Sequence, residues 1–284
     1  MSPRLPINNA QTITEFLNLH KDQVSEQESV DSYKFAFNDE AFLSRRETIG
    51  IRFELELLKP EILLKEHGID HTITVFGSTR FVSREKAESL VSEAKTPQET
   101  ADAKKALLHS QYYESAREFG SIVASYNKTQ KESANKLHIC TGGGPGIMEA
   151  ANRGAAEAGA VSVALNIDLP HEQQPNPYVT DHLCFQFHYF ALRKLHFVMR
   201  ARALVAFPGG FGTLDEVFEI LTLIQTHKTQ KVPVLLYGSA YWKRLIDFDW
   251  MLQEGTISQE DVQCFQYVDS VSQAWSVIEQ AFDH

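Results

Sequence analysis

The sequence has no apolar run approaching the roughly 20 residues needed to cross a bilayer, and charged residues make up 23% of it, which excludes a membrane-spanning reading. Its start, MSPRLPINNAQTITEF, lacks the basic-then-apolar pattern of a signal peptide, so a cytoplasmic location is expected. Cations are in deficit: 27 Lys and Arg against 37 Asp and Glu leave a net charge of -10. A protein that grips nucleic-acid backbone needs clustered Lys and Arg to displace condensed counterions, so no polymeric nucleic-acid partner is expected. A small anion is not excluded, because backbone N–H groups at a helix start hold phosphate without net basic charge. Cysteine is scarce and scattered. Cys140, Cys184 and Cys264 form no close-spaced metal or redox pair, and their apolar neighbours suit buried thiols without a disulfide. His138, His182, His188 and His196 have no familiar ligand spacing and HExxH is missing, so no metal is expected.

What is present is a long alternation. At 284 residues and 43% hydrophobic the chain can bury one large core. Residues 1–70 read as an N-terminal helical extension: Ile13, Phe16 and Leu17 pace a short helix, and Phe53, Leu55, Leu57, Leu58, Ile62 and Leu63 a longer one. Thr72–Phe76 is β-branched and apolar and runs into Gly77-Ser78, the pattern of a buried strand turning toward a site. A long helical stretch follows between Ser83 and Lys136, with a break at Thr96-Pro97. From Leu137 the runs LHICT, VSVALN, LCFQF, ALVAF and VPVLLY alternate with helical segments. That alternation predicts an α/β fold, a Rossmann-like open parallel sheet with helices on both faces, over residues 71–284. The chain closes with a helix near Trp242–Glu254, a short run CFQYV and a last helix from about Ser270.

Two glycine turns stand where strands hand over to helices. Cys140-Thr141-Gly142-Gly143-Gly144-Pro145-Gly146-Ile147 lets backbone approach a ligand without an obstructing Cβ. Behind it, Ala150, Ala151, Gly154, Ala155 and Ala158 give a helix a small-residue face for packing on the sheet. Phe207-Pro208-Gly209-Gly210-Phe211-Gly212-Thr213 repeats the arrangement after ALVAF. In a parallel sheet both turns fall at the C-terminal strand edge, where ligands of open α/β folds bind. Neither is a GxGxxG, since Ile147 and Asp215 occupy the third-glycine positions, so a dinucleotide cofactor is disfavoured. No GxxxxGK[ST] is present, which removes a triphosphate–magnesium site. A monophosphate fits better, and no cofactor is expected.

Thr213-Leu214-Asp215-Glu216 has capping-box spacing, so by spacing alone Thr213 caps a helix and Glu216 reaches back to it. Arg193-Lys194 lie in a helical run whose apolar stripe is Leu192, Leu195, Val198 and Met199. Arg193 reads either as a solvated helix arginine or as a planar donor to phosphate or ribose oxygens. Tyr189, Phe190 and Phe211 are core aromatics or stacking surfaces for a base.

Together FGSTR at 76–80, GGGPGIMEA at 142–150, RK at 193–194 and PGGFGTLDE at 208–216 resemble the lonely-guy family, also filed under an old lysine-decarboxylase label. The resemblance covers about residues 72–254 and implies a phosphoribohydrolase that splits nucleoside 5′-monophosphates into free base and ribose 5-phosphate. It implies Arg193 and Glu216 as the catalytic pair. Gly143, Gly144, Gly209, Gly210, Gly212 and Thr213 would embrace the 5′-phosphate, with Ser78, Arg80, Met148 and Lys194 beside the substrate. Arg80 departs from the plant GSSxG pattern and looks like the bacterial GS-x-R. Family members form dimers, which implies at least a homodimer here. The lysine-decarboxylase label finds no support, because no lysine stands in a recognisable Schiff-base setting. The rival reading is a non-catalytic sensor or carrier of a nucleotide or phosphorylated cofactor on the same sheet.

Overall fold

The computed structural model describes residues 31–132, 135–169 and 174–282. The expected helix around Ile13–Leu17 lies outside them. The chain divides into two compact units, Met1–Leu55 and Glu56–His284. In the first, a one-turn helix Glu40–Leu43 is capped by Asp39, whose carboxylate accepts from Phe42 N at 2.9 Å. Thr48 Oγ1 ties the following turn to the Leu43 and Arg45 carbonyls. The second begins inside helix α1 (Ile49–Glu66), which contains Pro60.

Its described residues form a seven-stranded sheet of β1 (Thr72–Phe76), β2 (His138–Thr141), β3 (Val163–Ile167), β4 (Cys184–Phe187), β5 (Ala201–Ala206), β6 (Val234–Tyr237) and β7 (Gln266–Val268). Their order is β4-β3-β2-β1-β5-β6-β7, and every pairing is parallel. The Rossmann-like expectation therefore holds. Sequence order reverses between β1 and β5, which makes their C-terminal ends the switch point where ligands of such sheets bind.

The strands alternate their cargo between two faces. Ile73, Val75, Ile139, Ala203, Val205 and Leu235 join one core with α3 (Pro97–Thr129), α4 (Ile147–Glu157) and α9 (Val271–Phe282). Phe76, Cys140, Leu204, Ala206 and Leu236 join the other, with α5 (Phe190–Met199), α6 (Phe211–Gln225), α7 (Ser239–Leu245) and α8 (Phe248–Gln253). Burial on both faces is why these strands read as continuous apolar runs.

The break at Thr96-Pro97 divides α2 (Arg84–Glu93) from α3: Pro97 opens α3, and Thr96 forms a capping box with Glu99. The single helix expected near Trp242–Glu254 is instead the pair α7 and α8, parted at Ile246 and restarted by an Asp247 cap on Trp250 N. Cys140 is buried as expected, whereas Cys184 and Cys264 are half-buried. The small-residue face of α4 serves α3 as well as the sheet. A methyl group at Gly154 would lie 1.8 Å from the Arg117 carbonyl oxygen, and one at Gly120 would lie 2.2 Å from that of Ala151. The backbones of α3 and α4 therefore touch, with Ala151 and Ala155 buried between helix and strands.

Gly154→Ala forces backbone apart along that seam. It is expected to lower unfolding stability by about 2 kcal/mol or more in urea titration, whereas Gly255→Ala, in open space but at a left-handed φ of 71°, is expected to cost only about 1 kcal/mol.

Candidate active site

Three loops meet at the C-terminal strand edge: residues 77–81 after β1, the first glycine turn after β2 and the second after β5. Ser78 clasps the other two. Its N–H donates to the Pro208 carbonyl at 2.9 Å, and its carbonyl accepts the Ile147 N–H at 3.1 Å. Gly77, Gly146 and Gly209 have no room for a side chain, since a Cβ would meet Ile147 at 2.7 Å, the Ser78 carbonyl at 2.2 Å and Thr213 Oγ1 at 2.1 Å respectively.

A cleft of about 660 Å³ opens over this junction. Of the residues expected at a site, Ser78, Arg80, Met148, Arg193, Gly209, Gly210, Gly212, Thr213 and Glu216 border it. Gly143 and Gly144 do not. Both are buried, their carbonyls accept from Asn176 Nδ2 at 3.1 Å each, and Gly143 N donates to Thr141 Oγ1 at 3.0 Å. Asn176 belongs to a buried polar chain that runs through Asn152 to Thr141 and Ser162. Lys194 also lies outside the cleft, its ammonium held by Asp215 at 2.7 Å and Glu219 at 3.2 Å.

The two helix starts have different fates. The first amide of α4 is spent on Ser78. Helix α6 begins at Phe211 with Gly210 as its N-cap, and no side chain caps it. Thr213 is therefore the third helical residue, not the cap, and the capping box suggested by the spacing does not form. The first amides of α6 have no partner within the helix, and Gly210, Phe211 and Gly212 are exposed. They form an open terminus of partial positive charge, the kind of helix start that suits an anion. Tyr241 Oη steadies it by donating to the Gly209 carbonyl at 2.5 Å.

One turn further along α6, Glu216 is 8% exposed. Arg193 approaches it from α5, with Nη1 4.0 Å from Glu216 Oε1. The guanidinium is fixed by Nε donating to the Leu165 carbonyl at 2.7 Å and by its seat 5.0 Å over the Phe197 ring. Gly142 makes room for it, since a methyl group there would lie 2.5 Å from Arg193 Nη2 and 3.0 Å from Met148 Sδ. Burial pushes Glu216 up to about 7, with Arg193 and then Lys194 pulling the other way. Burial also lowers the Arg193 pKa, against the pull of Glu216. Desolvation thus outweighs mutual attraction for both partners, and the pair is left under-compensated for charge.

Sequence reasoning missed Gly142, Phe81, His109, Tyr241 and Asn176. Gly142 lies in the first glycine turn and Phe81 directly follows FGSTR, but His109 reaches the cleft from α3 and Tyr241 from α7, while Asn176 comes to the first glycine turn, outside the cleft, from a loop distant in sequence. A larger cleft of about 820 Å³ lies at the opposite, N-terminal strand edge around His71 and Arg202; it brings together none of the glycine turns. Among the described residues, no group of three or more His, Cys, Asp or Glu is placed to hold a metal, and no helix is long and apolar enough to cross a membrane.

Residues 148–278 match the family model described as possible lysine decarboxylase, a stretch that contains the Arg193-Lys194 pair and the second glycine turn. The chain is 34% identical over 125 residues to a pyrimidine/purine nucleotide 5′-monophosphate nucleosidase of Escherichia coli, covering 39% of this chain and 27% of that protein. It is 39% identical over 67 residues to a cytokinin riboside 5′-monophosphate phosphoribohydrolase of Arabidopsis thaliana, covering 23% and 31%. The matches thus span less than a third of these relatives' lengths. Among solved structures, the molybdenum cofactor carrier protein of Chlamydomonas reinhardtii aligns at 18% identity with a TM-score of 0.44, over 75% of this chain and 99% of that one. The lonely-guy resemblance is shown by the family match and by the curated relatives.

A carboxyl raised from 4.5 to about 7 by folding binds more protons in the native than in the unfolded state across that interval. Its contribution therefore falls as pH rises from about 4.5 to about 7 and stays low above it. Glu216→Gln is expected to be more stable than wild type at pH 8 by on the order of 2 kcal/mol, and to show little gain at pH 4.5. Paired urea titrations at the two pH values check this, and an equal effect at both would remove the buried-carboxylate account.

Proposed function

We propose that this chain is a cytoplasmic phosphoribohydrolase that cleaves the N-glycosidic bond of nucleoside 5′-monophosphates. The observation that carries the reading is the buried Glu216–Arg193 pair one turn inside an open, uncapped helix terminus. A phosphate on the amides of Gly212 and Thr213 and the Thr213 hydroxyl is anchored at the start of α6, and its ribose then extends over Glu216. The names of the relatives from Escherichia coli and Arabidopsis thaliana support the same class of substrate.

Breaking the C1′–N bond builds positive charge on the ribose, and the Glu216 carboxylate stabilises that charge more in the transition state than in the ground state. The same carboxylate accepts a proton from the attacking water as the water oxygen bonds to C1′. In balance, C1′–N breaks, C1′–O forms and the water's proton ends on the departing base. Arg193 orients the substrate and opposes the rise in the Glu216 pKa. Asp215, held by Lys194 at 2.7 Å and half-exposed, is poorly placed to protonate the base. Phosphate binding at α6 provides remote binding energy that positions the ribose.

The protein is proposed to work as at least a homodimer. Phe190 and Phe211 are exposed at the cleft, Phe211 by 92%, and Leu195 is exposed further along α5, apolar surface of the kind that marks an interaction site. Size-exclusion chromatography with light scattering is expected to give a dimer or larger; a monomer throughout would remove this part of the proposal.

Chromatographic detection of free base from AMP, GMP, CMP and UMP tests the activity. Wild type is expected to release base with a rate that climbs as pH rises through about 7, where Glu216 ionises, and Glu216→Ala to lose activity by about 100-fold or more. Intact nucleotide binding with no base release by wild type would instead identify a carrier or sensor.

A further inference from the structure

The helix that carries Arg193 has no cap of its own. Tyr189 is the N-cap of α5 and makes no side-chain capping bond. The acceptor comes from α1: Glu56 Oε1 accepts the His188 N–H at 3.0 Å, and Oε2 accepts the Tyr189 N–H at 3.2 Å. The Tyr189 carbonyl in turn accepts the Arg193 N–H at 3.2 Å, so two hydrogen bonds join the Glu56 carboxylate to the backbone of Arg193. A carboxylate at this end also suits the positive end of the helix dipole.

Helix α1 holds the far end of α5 too. The Glu61 carboxylate lies 3.5 Å from His196 Nδ1 and pairs with Arg200 Nη1. His196 Nε2 is 3.3 Å from the Glu56 carbonyl, and Arg200 Nε donates to the Ile69 carbonyl at 3.0 Å. Helix α1 and the turn after it thus hold α5 at both ends, and with it the 4.0 Å approach of Arg193 to Glu216. At that spacing a displacement of α5 by an ångström changes the field at the carboxylate strongly in a buried setting.

We propose that Glu56 is a positioning residue for the site, latching α5 so that Arg193 stands against Glu216. This rests on the proposed role of that pair. The test reads Glu216 directly, by 13C-carboxyl NMR titration of the full chain without substrate, its signal assigned with Glu216→Gln. The groups facing Glu216 are Arg193 and Lys194 on α5 and Asp215 and Glu219 on α6. Release of α5 weakens the two cations' pull and raises the midpoint, whereas simple removal of a distant negative charge lowers it. The direction therefore separates the latch from a direct electrostatic effect.

Glu56→Ala is expected to raise the Glu216 midpoint by about half a unit or more, while Glu56→Gln, which keeps one acceptor oxygen but sets its NH2 against the second backbone N–H, gives a smaller rise. If the alanine variant does not fold, Glu56→Asp carries the same expected rise, because it keeps the charge but is too short to reach both amides. An unchanged or lowered midpoint in these shortened variants, with only a lower Tm, overturns the latch and leaves Glu56 as a structural cap. Failure of wild type to release base bears on the proposed activity alone, since the titration needs no substrate.

Discussion

Everything at the cleft depends on backbone meeting backbone above β1, β2 and β5. A parallel sheet brings the ends of neighbouring strands within about 5 Å of each other, so loops leaving adjacent strands compete for one volume. Glycine at 77, 146 and 209 resolves the competition by removing the Cβ that would strike Ile147, the Ser78 carbonyl or Thr213. Ser78 then joins both neighbours with a donated and an accepted main-chain bond. The axis of α6, and hence the depth at which Glu216 sits, follows from that junction. The side-chain chemistry is thus set by a constraint that involves hardly any side chains.

The electrostatics are a second consequence of depth. Glu216 and Arg193 are close enough to interact and too buried to be comfortable, and the shifts of both run toward their neutral forms. A pair optimised for stability would be closer than 4.0 Å and bidentate, as Arg–carboxylate pairs usually are when they stabilise a fold. The Arg117–Glu157 pair on α3 and α4, with contacts of 2.7 and 2.8 Å, shows that geometry elsewhere in the same molecule. The looser pair leaves each partner with capacity for a ligand, which is the familiar trade of stability for function.

Strand positions and glycine turns were legible in the sequence because they depend on local pattern. Thr72–Phe76 is one such segment, and the fold class followed from the alternation. The use of each turn was not legible. Gly143 and Gly144 look as available as Gly210 and Gly212, yet Asn176, more than 30 residues away, binds both of their carbonyls. Lys194 follows Arg193 directly, but adjacent helical residues point about 100° apart, so one enters the cleft while the other meets Asp215 and Glu219. The Thr213 capping box failed because α6 starts three residues earlier than that cap requires, at Phe211 with Gly210 as its N-cap, where the tertiary setting of the turn rather than the threonine decides the helix start. The turn of helix α3 that brings His109 to the cleft had no local signature at all.

The two glycine turns show how one motif yields two jobs. Helix α4 begins with its leading amide bonded to Ser78 and the carbonyls of the turn before it bonded to Asn176, so these contacts hold the junction rigid. Helix α6 begins with open amides at exposed Gly210 and Gly212. The exposed, uncapped terminus of this pair belongs to the helix bearing Glu216. Negative charge placed there is stabilised locally by fixed N–H dipoles, so an acidic chain with a net charge of -10 needs no cationic surface to receive it. A phosphate at that terminus, as proposed, would lie about one helical turn from the carboxylate along the axis of α6, roughly 5 Å of rise, a distance that a ribose between phosphate and base can span.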